Sequence, residues 1–364
     1  MERTHCVLCN SYTLTHLYTL KDYPVTPSPS EAFEDEFQDS IFVYCLQCGC
    51  SQLKILIDPV KLYSNSHNST ANTPTWKEHH KLFAEFITEN ISHSSILEIG
   101  GNAGILYNEI YKEHITYTIL DICDAHTRPP EIPFIKGNCE TFDYTGHPCI
   151  VLSHTFEHLY HPRNFIDTLR RSNVASVFIS IPNMNYMCDT KNISVLNNEH
   201  TFFLGSDEIL YLFSQFGYIC SSMKPFRNHS VFYHFVSDPS CAPIAIKPNI
   251  ERALIQCEIV KEYQAICDSI VINTPCFICP AGHYGQKLYY YLRRYSSFIE
   301  GFIDNDTSKQ GKRLYGTLAS VYSPNILQIY KDKHISIILY AGPYTEELKK
   351  QLNLLHPSIS YIGI

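Results

Sequence analysis

Apolar residues in the middle of the chain alternate between short continuous runs and longer stretches with helical spacing. The short runs at 96–99, 116–120, 149–153 and 175–181 predict buried strands, with helices between them. A late apolar region at 217–236 predicts a terminal hairpin. Strands that alternate with helices are typical of a doubly wound α/β sheet, so we expect that fold here.

A helix precedes this sheet and a second α/β unit follows it. Residues 76–91 have the helical spacing that leads into the sheet. The later predictions, in chain order, are a helix at 249–271, a strand at 275–279, a turn at 280–285, a helix at 286–295 and a strand at 298–304. The turn begins with Pro280 where a nucleotide-binding fold has a glycine, which argues against a working dinucleotide site.

The first strand of the sheet runs into a glycine-rich turn that is suited to hold a nucleoside. The strand carries Glu98 near its end, and the turn contains Gly100, Asn102 and Gly104. Glycines let the backbone approach a ligand, and the following helix N-terminus offers unpaired N–H groups. The next strand stops at Asp121, whose carboxylate can accept hydrogen bonds from both ribose hydroxyls. The pattern therefore predicts a nucleoside site with two parts.

Length and charge limit the classes of protein to consider. A chain of 364 residues exceeds one ordinary core, so we expect two or three domains. A net charge of −8 without a long basic stripe argues against a nucleic-acid partner. No apolar run approaches the ~20 residues that cross a bilayer, and the N-terminal segment lacks the apolar core of a signal peptide. We expect a cytoplasmic protein with no membrane partner.

The fifteen cysteines are unevenly distributed, and two pairs near the N-terminus have metal-ligand spacing. These pairs are Cys6 with Cys9 and Cys45 with Cys48. In a reducing cytosol, four such thiolates suit a tetrahedral Zn²⁺ ion better than disulfides. The alternative is a set of buried free thiols, since Cys50 nearby shows that cysteine is common here. Four thiolates would fill the coordination sphere, so we predict a structural zinc.

The motif Glu98-x-Gly100-x-Asn102-x-Gly104 resembles motif one of class I S-adenosylmethionine-dependent methyltransferases, which implies S-adenosylmethionine as the cofactor. Over nearly its full length the chain resembles the nucleotide-sugar C-methyltransferases. The segments that carry this resemblance are the cysteine pairs followed by Gly49 and Ser51-Gln52-Leu53, then Leu62-Tyr63 with Thr75 to His80, the glycine turn, and the stretch from Phe302 to Thr317.

The resemblance implies three domains and one reaction. The expected domains are a small zinc-binding module at 1–72, a class I methyltransferase domain at 73–245 and a second, Rossmann-like domain at 246–364. The expected substrate is a nucleotide-linked 4-keto deoxysugar that is methylated at carbon 3 through an enolate. Such a carbon must lose a proton before it attacks a methyl group, so the site needs a base and a group that stabilises the enolate oxygen.

The candidate base is His158, which follows the strand at 149–153, where open α/β sheets bind their ligands. By resemblance a Glu-His pair falls on Glu157 and His158, and Glu157 is expected to orient the sugar or the imidazole. The segment at 198–203 resembles a His-Glu-His-x-x-Tyr-Phe motif, which makes His200 the second candidate base.

The resemblance also distributes the cofactor contacts. Glu98 and the glycine turn are expected to hold the methionine end, Asp121 the ribose, and Asn138 to lie near the adenine. Two positions depart from the family: Thr155 stands where a tyrosine is found and Ser180 where an acidic residue is found. The remaining histidines considered individually, expected at surface or core positions, are His79, His80, His154 and His229.

Other functions remain open at this stage. The same fold and cofactor suit methyl transfer to a hydroxyl or an amine of a nucleotide sugar or glycan precursor, which needs no ketone. A non-catalytic shell has no physical need for four retained polar groups, Glu98, Asp121, Glu157 and His158. An oxidoreductase that uses the C-terminal unit is disfavoured by Pro280. The oligomeric state is not indicated.

Overall fold

The computed structural model describes residues 1–26, 29–31, 34–63, 74–110, 114–124, 128–331 and 333–363. The chain divides into two compact units, each built from separate segments. The first unit contains Met1–Leu17, Phe42–Met187 and Glu199–Ala253, and the second contains Tyr18–Ile41, Cys188–Asn198 and Leu254–Ile364. The predicted boundary between residues 72 and 73 lies outside the described residues, and the three-domain division stays a prediction.

The strands are, in chain order, β1 (Leu14–Pro24), β2 (Pro29–Ser30), β3 (Phe37–Cys45), β4 (Ser51–Leu53), β5 (Ser95–Ile99), β6 (Thr116–Asp121), β7 (Phe134–Lys136), β8 (Cys149–Ser153), β9 (Ser176–Pro182), β10 (Phe202–Phe203), β11 (Tyr218–Phe226), β12 (Ser230–Ser237), β13 (Cys276–Cys279), β14 (Ile299–Ile303), β15 (Arg313–Leu314), β16 (Val321–Tyr322), β17 (Ile335–Leu339) and β18 (Ile359–Ile362). The α-helices are α1 (Pro59–Tyr63), α2 (Pro74–Asn90), α3 (Ile105–Ile110), α4 (Pro162–Arg171), α5 (Met184–Asp189), α6 (Ser206–Ser214), α7 (Ile250–Ser269), α8 (His283–Leu292) and α9 (Thr345–Leu355).

The main sheet of the first unit has the order β11-β12-β9-β8-β5-β6-β7. Its central pairs are parallel, whereas β12 runs antiparallel to both β9 and β11. The strand order reverses between β5 and β8, and ligands of open α/β sheets bind at such a reversal. The doubly wound sheet and its terminal hairpin are therefore confirmed. This is the Rossmann-like class I methyltransferase fold.

Alternate residues of the central strands face opposite layers, which explains their continuous apolar runs. Leu97 and Ile99 of β5 pack in one core cluster with residues of α4 and α6. Ile96 of the same strand packs in another cluster with residues of α2 and α3. Helices thus cover both faces of the sheet. The carboxyl ends of β5 and β8 remain at one edge, where the candidate site lies.

Two local predictions were wrong or incomplete. The short strand β7 was not predicted, because its three residues give too little periodicity to recognise. The acidic composition of residues 31–39 predicts a loop, but β3 begins within this segment, at Phe37, and continues into an apolar run. Through β4, the antiparallel pairs β3-β4 and β4-β10 connect this strand to β10 within the first unit.

The second unit contains a five-stranded sheet with the order β16-β14-β13-β17-β18, and all four strand pairs are parallel. The predicted strands at 275–279 and 298–304 are confirmed as β13 and β14. The helix between these two strands, α8, begins at His283, whereas the sequence predicted a start at residue 286. A second α/β unit at the C-terminus is therefore confirmed. Among the described residues, no helix is long and apolar enough to cross a membrane.

Candidate functional site

The turn between β5 and α3 uses backbone conformations that few residues adopt. Gly100 and Gly104 have φ values of +75° and +72°, and Asn102 has a φ of +36°. A Cβ atom on Gly100 would lie 2.5 Å from Thr155 Oγ1. Asn102 is 9% exposed, and its Oδ1 atom is buried without a hydrogen-bond partner. The turn therefore places a polar side chain and open backbone at the reversal of the sheet.

Glu98 lies directly beneath this turn. Its side chain is 3% exposed, and the Tyr117 hydroxyl donates a 2.7 Å hydrogen bond to Oε2. Burial is the main cause that raises the pKa of Glu98 to about 7, because a charged carboxylate is poorly solvated there. Glu98 is thus a buried acid that changes charge near neutral pH.

Asp121 ends β6 next to the turn. Its Oδ2 atom accepts a hydrogen bond from the Asn102 N–H at 3.1 Å, and Oδ1 accepts one from the Cys123 N–H at 3.0 Å. Burial raises the pKa of this carboxyl group. The structure therefore brings together the two parts of the predicted nucleoside site.

Asn138 follows β7 on the same side of the sheet. The N–H of Gly137 donates to the Asp121 carbonyl at 2.9 Å, which fixes this turn beside the end of β6. The Asn138 side chain is exposed, and its Oδ1 accepts a hydrogen bond from the Glu140 N–H at 2.9 Å. Its expected place near the adenine stays a prediction.

The segment after β8 carries the predicted Glu-His pair. His154 adopts a left-handed φ of +50°, and a single turn of 3₁₀ helix spans Phe156–His158. Glu157 is 5% exposed, and its Oε1 atom accepts a 3.1 Å hydrogen bond from His154 Nδ1. Its Oε2 atom is buried without a hydrogen-bond partner. Thr155 Oγ1 donates to the Ile99 carbonyl at 3.2 Å, which attaches the segment to the end of β5.

His158 and His200 are brought together although they are far apart in sequence. Their rings lie edge to face, with centroids 4.9 Å apart. His158 Nδ1 is 3.1 Å from the carbonyl oxygen of Glu199, which only accepts, so Nδ1 carries the proton in this pair. Burial, followed by the nearby His158, lowers the pKa of His200 to about 3, so His200 is neutral at neutral pH.

The three predicted catalytic residues form one group. One metal-ligand type atom from each of Glu157, His158 and His200 lies within 4.8 Å of the others. Glu157 and His200 also line a pocket whose other walls include Ile181, Met184 and Phe202. The group therefore combines acid–base side chains with a largely apolar wall. The same spacing is compatible with a bound metal ion.

Four histidines that carried no signal individually surround Trp76 at the N-terminus of α2. The Trp76 ring lies 4.8 Å from both His154 and His229, 5.0 Å from His79 and 5.7 Å from His80. Burial lowers the pKa of His154 and His229 to about 3, and it lowers that of His79 as well. The cluster is therefore neutral at neutral pH. Residues from three distant segments meet here, and sequence spacing contains no sign of that.

His79 contacts Ser180, the residue that stands where an acidic residue was expected. Its Nε2 atom is 2.8 Å from Ser180 Oγ, at the position where the resembling family has an acid. Both side chains are fully buried, and burial disfavours a charged imidazole. A serine partner therefore suits a neutral His79.

The cysteine pairs meet as predicted. The Sγ atoms of Cys6 and Cys48 are 3.5 Å apart, and those of Cys9 and Cys45 are 3.6 Å apart. All four Sγ atoms lie within 4.8 Å of one another. A tetrahedral zinc ion with Zn–S bonds of about 2.3 Å separates its sulfurs by about 3.8 Å, so the spacing fits. The cluster has the ligands and geometry to hold a metal ion.

Sequence reasoning missed Arg3. This side chain is 5% exposed, and its guanidinium donates to backbone carbonyls of Leu159 and Tyr160 at 3.3 and 2.8 Å. It also donates to the backbone carbonyl and the side-chain hydroxyl of Thr201, which follows His200. A single arginine near a chain terminus belongs to no motif, so nothing in the sequence indicated this role.

Comparison with known proteins gives the domain. Residues 74–221 match the family model described as a methyltransferase domain. A comparison with curated proteins finds no match. The matched region contains the glycine turn, Asp121 and the segment with Glu157 and His158.

Solved structures with a similar fold include three methyltransferases. The magnesium protoporphyrin IX methyltransferase ChlM from Synechocystis PCC 6803 is 12% identical, with 45% of this chain and 84% of that chain covered and a TM-score of 0.36. The Burkholderia thailandensis 1,6-didemethyltoxoflavin-N1-methyltransferase is 7% identical, with 54% of this chain and 98% of that chain covered and a TM-score of 0.40. The N-methyltransferase NodS from Bradyrhizobium japonicum WM9 is 14% identical, with 49% of this chain and 94% of that chain covered and a TM-score of 0.37.

The matched domain and the fold together define the class of protein. The chain carries a methyltransferase domain in residues 74–221. It is an S-adenosylmethionine-dependent methyltransferase.

Proposed function

We propose that the protein transfers a methyl group to carbon 3 of a nucleotide-linked 4-keto deoxysugar through an enolate. The observation that carries this proposal is the group of Glu157, His158 and His200, whose ligand-type atoms lie within 4.8 Å of one another at the carboxyl end of β8. The resemblance to nucleotide-sugar C-methyltransferases supplies the substrate class. S-adenosylmethionine supplies a methyl group on a sulfonium centre, which an enolate carbon can attack.

The cofactor site is proposed to use the turn after β5. Glycine backbone at Gly100 and Gly104 admits a close approach, and Glu98 lies beneath the turn. Asp121 would accept hydrogen bonds from the ribose, since each carboxylate oxygen can accept more than the one N–H it already receives. The buried Oδ1 of Asn102 also lacks a partner, so a ligand donor would satisfy it.

His158 is the proposed base. A neutral imidazole that donates from Nδ1 has its lone pair on Nε2, and the Glu199 carbonyl fixes this tautomer. The base takes the proton from the carbon next to the ketone, and the electron pair of that C–H bond passes to the carbonyl oxygen. The enolate carbon then bonds to the methyl group as the sulfur–methyl bond breaks.

His200 and Glu157 are proposed to support this step. His200 is neutral at neutral pH because burial lowers its pKa to about 3, so it has one ring N–H to donate to the developing oxyanion. Glu157 is held by His154 through Oε1, so its Oε2 is available as an acceptor for a sugar hydroxyl. His200 is also the alternative base, which the variants below distinguish.

The decisive experiment follows two mass changes in one reaction. The purified protein is incubated with S-adenosylmethionine and a panel of nucleotide 4-ketosugars in deuterated water, and products are examined by mass spectrometry. Deuterium uptake next to the ketone together with methyl gain supports enolate C-methylation. Methyl gain without that exchange, or only on sugars without a ketone, would instead assign transfer to oxygen or nitrogen.

The base assignment is tested with matched histidine variants. His158→Gln should retain S-adenosylmethionine binding and lose turnover by about a hundred-fold or more, as expected for a general base. His200→Gln should lower turnover less, and His114→Gln, at an exposed position, should leave it unchanged. Near-normal turnover of His158→Gln would remove the assignment, and a larger loss in His200→Gln would move the base to His200.

We also propose that Cys6, Cys9, Cys45 and Cys48 hold a structural Zn²⁺ ion. Backbone N–H groups of Leu8 and Gln47 point at the sulfurs of Cys6 and Cys45 at 3.4 Å, an arrangement that favours thiolates. Metal analysis should find one zinc ion per chain, and Cys45→Ser should lose it. Cys241→Ser, outside the cluster, should keep it. Absence of bound metal in the wild type would contradict the assignment.

A further inference from the structure

Arg3 joins three backbone segments of the first unit. Besides the carbonyls of Leu159, Tyr160 and Thr201, its guanidinium reaches the Leu53 carbonyl of β4 at 3.5 Å. A planar guanidinium can serve several acceptors at fixed angles, which a lysine ammonium does not do in the same way. The side chain is buried, and so are its bonds to the carbonyls of Leu53, Leu159 and Thr201, so loss of Arg3 would leave these acceptors without a ready replacement.

Two of the three segments carry the proposed catalytic side chains. The segment that ends at Leu159 and Tyr160 contains Glu157 and His158, and Thr201 follows His200. Thr201 also links them directly: its N–H donates to the Glu157 carbonyl at 2.9 Å, and its hydroxyl donates to the Leu159 carbonyl.

Arg3 is a further link between these two segments. Its guanidinium contacts both segments at once, within hydrogen-bond distance of each. Arg3 therefore contacts both of the segments that carry the two proposed catalytic histidines.

The third segment connects Arg3 to the cysteine cluster. The Arg3 N–H donates to the Lys54 carbonyl at 2.8 Å, beside β4. Gln52 of β4 is fully buried; its Oε1 accepts from the Val7 N–H at 2.9 Å and its Nε2 donates to the His5 carbonyl at 3.0 Å. Residues 5 and 7 flank Cys6. Strand β4 and the residue after it therefore contact both the cysteine turn and Arg3.

We propose that Arg3 is a positioning residue of the methyl-transfer site, which holds the His158 segment against the His200 segment and couples both to the cysteine module. The inference rests on the proposed role of these two histidines, but not on the identity of the methyl acceptor. Arg3 bonds to backbone carbonyls of both segments and to the Thr201 hydroxyl, so it would affect catalysis through the distance between the two imidazoles. Misplacement of catalytic groups by about 1 Å can lower a rate by about a hundred-fold.

The test compares Arg3→Met with Arg163→Met in the full-length chain. Arg163 is a matched control because it also donates to a carbonyl of the cysteine turn, that of Leu8 at 2.7 Å, but it lies on α4 and its guanidinium packs over the Phe216 ring. Nitrogen-15 NMR of the histidine side chains, assigned with His158→Gln and His200→Gln, reports the imidazole environments without any turnover. Steady-state kinetics with the 4-ketosugar that the wild type methylates reports their use.

Arg3→Met should shift the His158 and His200 resonances, lower kcat by roughly ten- to a hundred-fold, and leave the Kd for S-adenosylmethionine unchanged. Arg163→Met should leave the resonances and kcat as in the wild type. Unchanged resonances in Arg3→Met would overturn the inference even if His158→Gln is inactive. Shifted resonances with an active His158→Gln would keep the positioning role and reject the proposed base.

A second variant covers the case in which Arg3→Met does not fold. Thr201→Val keeps the side-chain shape but removes the hydroxyl that accepts from Arg3 at 3.0 Å and donates to Leu159. It should shift the same two resonances by a smaller amount and lower kcat several-fold, with the Kd for S-adenosylmethionine unchanged. Wild-type resonances and kcat in Thr201→Val would contradict the coupling of the two segments.

Discussion

Each of the two α/β sheets places an aspartate beside the turn that follows its first strand in chain order, yet the two aspartates have different surroundings. Asp121 ends β6 and accepts the N–H of Asn102 from the turn and the N–H of Cys123 two residues on. Asp304 follows β14 and accepts the N–H of Ala281 from the turn, at 3.0 Å, and the N–H of Asp306 two residues on, at 2.9 Å. The backbone arrangement is thus the same in both units.

The difference is a lysine. In the second unit, Lys309 Nζ donates to Asp304 Oδ2 at 2.9 Å and to the Ala281 carbonyl at 2.7 Å, and both residues are 8% exposed. Among the described residues of the first unit, no lysine or arginine pairs with Asp121. The carboxylate that faces a ribose in a nucleotide-binding fold is therefore neutralised internally in one sheet and not in the other.

The strand before each turn differs in the same direction. The penultimate residue of β5 is the buried acid Glu98, whereas the penultimate residue of β13 is the apolar Ile278. The first turn begins with glycine and the second with Pro280. Fold and strand order are shared, so they do not make the ligand site; the polar groups placed around the turn do.

The largest expected effect comes from breaking the internal ion pair of the second unit. Lys309→Met leaves the buried Asp304 carboxylate without its cation, which should lower the free energy of unfolding by about 3–5 kcal/mol. The double variant with Asp304→Asn should recover part of this loss, because it removes the unpaired charge. Urea denaturation measures both.

The control for Lys309→Met is Lys191→Met, which removes an exposed lysine paired with Glu262 in the same unit. Exposed pairs add little to stability, so this variant should unfold at the wild-type urea concentration. Equal midpoints for the two lysine variants would show that Lys309 is not needed to neutralise Asp304.

The next effect is a pH dependence that Glu98 gives to the first unit. The pKa of Glu98 is about 7 in the folded protein, above its unfolded value of 4.5. The folded state therefore binds this proton more tightly, and the contribution of Glu98 to stability falls as pH rises from about 4.5 through 7. The full penalty above pH 7 is about 3 kcal/mol. Unfolding of the wild type and of Glu98→Gln, followed over this range, should differ by that slope, and parallel profiles would contradict it.

A smaller effect is expected on cofactor affinity. Asp121→Ala removes the proposed ribose acceptor, and loss of hydrogen bonds to a charged group of about 1.5–3 kcal/mol should raise the Kd for S-adenosylmethionine roughly ten- to a hundred-fold. Isothermal titration calorimetry measures this change. Asp304→Asn, at the equivalent position of the second unit, should leave the affinity unchanged; an equal loss would mean that the second unit takes part in cofactor binding.

Sequence patterns predicted the features that are formed by residues close together in the sequence. The strand–turn–helix sequence around Gly100, the acid at Asp121 and the cysteine pairs each involve residues close in sequence or at regular spacing. The helix at α2 and the second sheet were predicted for the same reason. Pro280 in place of a glycine argues against a working dinucleotide site in the second unit, and this stays a prediction.

Long-range polar contacts were not predictable in this way. Lys309 pairs with Asp304 because of how the loop after β14 folds back, and Arg3 reaches Thr201 across 198 positions of sequence. Periodicity reports which face of an element is buried, but it does not report which distant side chain meets it. The histidines around Trp76 come from α2 and from the ends of β8 and β11, so no spacing rule connects them.

The smallest expected effect is a difference in stability between alanine variants of two glycines with the same backbone conformation, one in the glycine turn and one in open space. Gly100 and Gly311 have φ values of +75° and +80°, so alanine at either position should lose about 1–2 kcal/mol of stability. At Gly100 the new Cβ would also meet Thr155, whose β-branched side chain moves little, whereas at Gly311 nothing lies within 4 Å. Gly100→Ala should therefore be less stable than Gly311→Ala by about a further 1 kcal/mol, measured by urea denaturation. Since Thr155 begins the segment with Glu157, Gly100→Ala should also lower turnover, while equal stabilities and activities of the two variants would mean that the turn and that segment are independent.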